Sequence, residues 1–402
     1  METCRTRMRF TPMRIVSGMR SPIRVAFVFN AQDHQILHGL PIACELSRIR
    51  PDFAVTVFAR DEAQLAYCRR LADHYPRHRL GFAKLRSPWL PAAVRRRIGA
   101  MKVAILWASR QLFESFDALV VPERTTLLLK KFGVRRPLYI HTAHGGGGAD
   151  RPDDPRLGQF DLLLLPNVRR LTDVMAAGNT QCAAVYGYPK LDLVRRMSAA
   201  PPKLFANDHP TVLYNPHHRA GTTSWAELGW ALLDHFARQR DYNLIFAPHV
   251  RLFDPPERHR QMFRRYGALE HIRVDLGSSA SVDMTYTLAA DVYLGDISSQ
   301  VLEFLVKPRP CIFLNPRRLP WRDDPDFVNW QLGRVMEDVD GMAEALASRA
   351  EWQPDYEPLQ CAAFEAAFPT LGEPAPILGA RLIAAFLTEG HLPVEAEHLY
   401  AA

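Results

Sequence analysis

Residues 291–316, DVYLGDISSQVLEFLVKPRPCIFLNP, decide the fold. Val292–Gly295 reads as a short buried strand and Asp296–Ser299 as a polar turn. Val301, Leu302, Phe304 and Leu305 form the apolar face of a short helix, leaving Glu303 to point elsewhere, and Cys311–Leu314 is a second strand. A strand–turn–helix–strand of this kind belongs to a parallel α/β sheet, whose ligands sit beyond the C-terminal ends of the strands. Free amides at the helix start, with the hydroxyls of Ser298 and Ser299, suit a phosphate or diphosphate. Glu303, one turn into the helix, is placed for the two hydroxyls of a ribose. The same residues also read as a serine-capped structural unit with no ligand.

Upstream, two more strands end in comparable loops. Thr211–Tyr214 runs into Asn215-Pro216-His217-His218-Arg219, and Asn243–Ala247 ends in Pro248-His249. Three polar strand ends at one sheet edge carry more weight than any single motif. Between them the pattern predicts helices over 225–238, 256–266 and 281–289, with further helices at 342–349 and 377–388.

The first half opens with Arg24–Phe29, a helix over 41–49, Phe53–Phe58 and a helix over 62–74, which predicts a second doubly wound α/β sheet. No GxGxxG follows the first strand, so a dinucleotide cofactor is not expected. Ala118–Val121 and Leu138–His141 continue the strands, the latter leading into HTAHGGGGAD at 141–150. A glycine run after a strand lets the backbone approach a ligand, which makes Gly145, Gly146 and Asp150 candidates for a ligand-facing loop. His144 stands at that strand's end with a side chain whose ordinary pKa suits a general base. A flexible loop with an incidental histidine is the plainer alternative. Asp161–Leu165 and Ala183–Tyr186 follow, and the proline-rich 199–210 reads as a linker. The expected division is a disordered basic tail over 1–21, a first domain over 22–198, the linker, a second domain over 211–372, and a C-terminal helix and tail over 373–402 that crosses back to the first.

At 402 residues, with 48% apolar and 23% charged side chains, two globular domains are the default. Six scattered cysteines without CxxC spacing point to reduced thiols in the cytoplasm and give no metal-ligand pattern. The basic first twenty residues lack the apolar core of a signal peptide, and no run is long enough to span a membrane. A net charge of +7 favours an anionic partner. Nucleic acid ranks last among such partners and is not expected, because no basic stripe is interleaved with aromatics. Over 87–113, Trp89 and Trp107 bracket Arg95, Arg96, Arg97 and Lys102 on an amphipathic pattern. That suits either an anionic membrane surface or a core helix with solvated arginines.

In their order these motifs resemble the CDP-glycerol glycerophosphotransferases of the teichoic-acid type. The likeness rests on His144-Gly145, Gly187-Tyr188-Pro189-Lys190-Leu191-Asp192, Tyr214-Asn215-Pro216-His217-His218-Arg219, His249, and Asp296-Ile297-Ser298-Ser299 with Glu303. It covers about residues 135–316, and only the ordered set is specific. The chain departs from the pattern at Ala143, His217, Val250 and Ile297. The resemblance implies a GT-B fold, two Rossmann-like domains facing a cleft. It also implies His144 as the base on an acceptor hydroxyl that attacks the β-phosphorus of CDP-glycerol. His249, Arg219, Ser298 and Ser299 would balance charge on the phosphates, with Pro248 and Asp296 in the same nucleotide site and Glu303 on the ribose. No metal or other cofactor is required, since cationic side chains and amides can neutralise the phosphates; magnesium is compatible. The acceptor would be lipid-linked or capsular, at the inner face of the cytoplasmic membrane. Competing readings are a GT-B glycosyltransferase using a UDP-sugar, a sugar-nucleotide 2-epimerase, for which no convincing carboxylate set is present, and a non-catalytic nucleotide-binding relative.

Overall fold

The structure, a computed structural model, describes residues 21–86, 98–143, 153–178, 182–197 and 203–392. Trp89, Arg95, Arg96, Arg97, His144, Gly145, Gly146 and Asp150 lie outside the described residues.

The chain divides into two compact units. Among the described residues the first runs to Asp192 and resumes from Leu371; the second is Leu193–Thr370. In the first unit the strands are β1 (Ile23–Phe29), β2 (Phe53–Ala59), β3 (Gly81–Lys84), β4 (Ala118–Val121), β5 (Leu138–Thr142), β6 (Leu162–Leu165) and β7 (Ala183–Val185). They form one sheet in the order β3-β2-β1-β4-β5-β6-β7, parallel throughout. The second unit contains β8 (Thr211–Asn215), β9 (Asn243–Phe246), β10 (Ile272–Val274), β11 (Val292–Gly295), β12 (Cys311–Leu314) and β13 (Arg334–Met336). Their order is β10-β9-β8-β11-β12-β13, again all parallel.

The central strands are near-continuous apolar runs because helices cover both faces of a parallel sheet. In the second unit Tyr214, Phe246, Leu294 and Leu314 pack with Leu232, Phe236, Phe263 and Trp352 from the flanking helices. Winding out in both directions from β8 leaves a crevice where β8 and β11 lie side by side but their connections depart to opposite faces. Ligands of doubly wound sheets bind at such switch points. In the first unit the equivalent neighbours are β1 and β4. The C-terminal helix Ala375–Glu389 belongs to this first unit and packs on helix Ile36–Ile49. Gly379 permits the approach, since a Cβ there would stand 3.1 Å from the Tyr186 ring and 3.4 Å from Ile42.

The structure departs from the sequence pattern at several elements. The segment expected as a helix over 256–266 is two 3-10 turns, Pro256–Arg258 and Arg260–Phe263, followed by the short helix Arg264–Gly267. A 19-residue helix, Arg349–Ala367, which the sequence pattern does not indicate, carries Pro354 and Pro358 within it. Edge strands β3 and β13 lack an apolar run because each is only partly buried.

Candidate functional site

The switch point of the second sheet is assembled from three strand ends that hold one another. At the end of β8, the Asn215 side chain donates to the Ala247 carbonyl at 2.7 Å, and the Tyr293 hydroxyl donates to its Oδ1 at 3.2 Å. The His249 amide donates to the Pro216 carbonyl at 3.0 Å, tying the loop after β9 to that after β8. From the end of β11, Asp296 Oδ2 accepts the amides of His217 at 2.8 Å and Ser224 at 3.0 Å. Gly295 is required here, because a Cβ would lie 2.9 Å from the Asn215 carbonyl oxygen.

This lattice of backbone and buried polar groups gathers His217, His218 and His249. Their ring centroids are 4.4, 4.2 and 5.3 Å apart for the pairs 217–218, 218–249 and 217–249. Burial, then the neighbouring imidazole and the charges of Arg219 and Arg251, push His217 down to about 4. His249 falls to about 3, through burial first and then His218, His217 and Arg251. Burial, Arg251 and Arg219 lower His218 likewise. The three rings are therefore neutral at pH 7. The amides of Arg219 and Arg251 donate to Nδ1 of His217 and His249 at 3.4 and 3.2 Å, which leaves the ring proton on Nε2 in each.

The three residues offer nitrogens within 4.8 Å of one another, a grouping that could hold a metal ion. With Nδ1 of His217 and His249 taken by backbone amides, their two Nε2–H donors beside two arginines also suit an oxyanion, in the manner of a preorganised hole that carries little standing charge.

The sequence-derived candidates are distributed as follows. His249 and Arg219 meet at this cluster, and Pro248, which precedes His249, is buried. Ser298 is 6% exposed and its Oγ accepts the Gln300 amide at 3.2 Å, while Ser299 is more open. Asp296, expected at the phosphates, is wholly buried and works by holding the amides of the histidine loop; burial pushes its carboxyl up to about 7 against those donors. Glu303, expected to point away from the core, is 6% exposed and engaged within the protein, because Val301–Phe304 are all buried in the five-residue helix Gln300–Phe304. Sequence reasoning missed His217, His218 and Arg251 as site residues. The doubled histidine after a strand was the available signal, and only the fold brings both against His249.

Two units that each wind a parallel sheet outward from a switch point have the architecture of the GT-B fold. Solved structures agree on the fold. A histidine-to-asparagine variant of the wall teichoic acid polymerase TagF, soaked with CDPG, matches 92% of this chain and 90% of its own at 15% identity and a TM-score of 0.58. The S. aureus MnaA–UDP structure matches 92% and 97% at 13% identity, TM-score 0.59. A UDP-N-acetylglucosamine 2-epimerase matches 92% and 98% at 12% identity, TM-score 0.58. None of the curated proteins compared matches in sequence. Residues 124–371, more than half of the chain, match the CDP-glycerol:poly(glycerophosphate) glycerophosphotransferase family, and the chain belongs to that family.

Proposed function

We propose that the protein transfers glycerol phosphate, or a similar polyol phosphate, from a CDP-linked donor to a hydroxyl of a lipid-linked or cell-envelope polymer. The observation that carries this is the imidazole trio with Arg219 at the switch point of the second sheet. Its N–H groups and guanidinium suit the donor's diphosphate, with Ser298 and Ser299 completing the contacts. His144 would take the proton of the acceptor hydroxyl as its oxygen bonds to the β-phosphorus. The bond from that phosphorus to the bridging oxygen breaks, and CMP leaves with the electron pair. Preorganised donors act here because charge grows on the bridging and equatorial oxygens.

The test is a thermal-shift panel of CDP-glycerol, CDP, CMP, UDP and a UDP-sugar on wild type and the Ser298→Ala/Ser299→Ala double variant. A ligand that binds only the native state raises the Tm with its occupancy. Stabilisation by cytidine nucleotides that the double variant loses supports the reading. A response confined to uridine nucleotides moves it to a UDP-sugar glycosyltransferase, to which the fold shared with the S. aureus MnaA–UDP structure lends support. No response to any of them leaves a non-catalytic relative.

An anionic membrane surface, on the inner face of the cytoplasmic membrane, is the proposed place of work. On helix Ile98–Phe113, Val103 and Trp107 are 40% and 52% exposed on one face, with Arg110 4.2 Å over the Trp107 ring. Trp89 and Arg95–Arg97 precede it in sequence. Among the described residues no helix is long and apolar enough to cross a membrane. Replacing Arg95, Arg96 and Arg97 by Glu should reduce co-sedimentation with phosphatidylglycerol vesicles; unchanged binding refutes the surface.

A further inference from the structure

The first unit has its own switch point, with polar groups of its own. Asn30 follows β1 directly, Glu123 lies two residues past β4, and Thr142 ends β5. Phe27 pairs with Val120 and Val121 with His141, so Asn30, Glu123 and the end of β5 come level at the C-terminal edge. A network is built there. Glu123 Oε1 accepts from Gln35 Nε2 at 2.9 Å and Lys102 Nζ at 3.3 Å, and its Oε2 accepts from the Thr125 hydroxyl at 3.0 Å. The Glu123 and Lys102 side chains are 18% and 19% exposed, so the rim of the network reaches solvent.

Around that rim stand unspent groups. Asn30, 1% exposed, has neither its Nδ2 nor its Oδ1 hydrogen-bonded. Gln35 Oε1 and the hydroxyls of Thr126 and Thr142 are likewise buried without partners. A fold loses stability for every such group, so four residues at one sheet edge call for a ligand that repays them. The set both donates and accepts. An anion would meet the Glu123 carboxylate, a cation would leave the Asn30 N–H groups unmet, and an apolar group would satisfy none. Hydroxyls, which donate and accept at once, complement it.

We infer that this edge of the first sheet is a polyol-binding site that seats the acceptor's hydroxyls through Asn30, Gln35, Glu123 and Thr142. The word acceptor rests on the proposed function; the polyol site itself does not. The site lies on the strand edge that leads in sequence to His144, the group proposed to take the acceptor's proton.

The experiment is saturation-transfer NMR on the full chain with glycerol as the probe and excess CDP present to fill the donor site. Wild type should show transfer to the probe. Asn30→Leu and Thr142→Val should lose it while keeping or raising the Tm, since each exchanges an unpaired polar group for an apolar one of similar shape. No transfer to wild type, or full transfer to both variants, overturns the site. A Tm that falls together with the signal in both variants shows a structural role and overturns it too. If CDP-glycerol displaces the probe where CDP does not, the site holds the donor's glycerol and the acceptor assignment fails. Absence of CDP binding in the thermal-shift panel would remove the donor reading and leave this measurement standing.

Discussion

Replacing Asp296 by Asn tests the physical account of the site at its most buried charge. Asp296 is wholly inaccessible, and burial lifts its carboxyl from 3.8 to about 7. Between those values the folded protein keeps a proton that the unfolded chain has released. Stability therefore falls as pH rises through that window and is flat on either side, at about 1.4 kcal/mol per unit and about 4 kcal/mol in all. Asn has no proton to release, yet its Oδ1 can still accept the amides of His217 and Ser224. The difference in unfolding free energy between variant and wild type thus isolates this one carboxyl, because the other titrations are common to both. Urea unfolding followed by tryptophan fluorescence, from about pH 5 to about pH 8, should show Asp296→Asn gaining on wild type by roughly 3 kcal/mol up to pH 7 and then levelling. CDP affinity should be retained, since the loop stays held. A difference independent of pH, or one that shrinks as pH rises, refutes the claim that this carboxylate is desolvated beneath the histidine loop.

Protonation of the imidazole trio should couple to ligand binding. His217 and His249 sit at about 4 and about 3 in the free protein, so an anion that favours their protonated forms binds with proton uptake. CDP measured by calorimetry should bind more tightly at about pH 6 than at about pH 8, and a flat profile in that range contradicts the cluster's role. Gly295→Ala should weaken CDP binding roughly tenfold by forcing apart the ends of β8 and β11; an unaltered affinity shows that the crevice is not the site. Gly333→Ala should be insoluble or severely destabilised, because its Cβ would fall 2.0 Å from the Cys311 carbonyl oxygen, a backbone atom that cannot turn away. Treatment with EDTA should leave the CDP-induced Tm shift in place, and its loss would reinstate a metal.

Much of the architecture was legible because parallel strands covered on both faces must be apolar along their whole length. RVAFVF, FAVTVF, ALVV, DLLLL, VYLG and CIFL announce themselves for that reason, and β1, β2, β4, β6, β11 and β12 lie on them. Glycine, proline and histidine clusters at the strand ends marked where a ligand edge would form, and their order carried the family resemblance. The sequence alone thus determined two doubly wound sheets and the position of His249, Arg219, Ser298 and Ser299 at strand ends. It could not show β3 or β13, whose side chains are only half buried and so carry no periodic signal. Nor could it show the helix Arg349–Ala367, where tertiary packing overrides two prolines. Tertiary structure alone decided the direction of side chains within the turns. Burial turned Asp296 inward as the support of a loop and drew Glu303 into the protein. Sheet register, a long-range property that no local window contains, set His217 and His218 against His249, and brought Asn30, Glu123 and Thr142 to one edge.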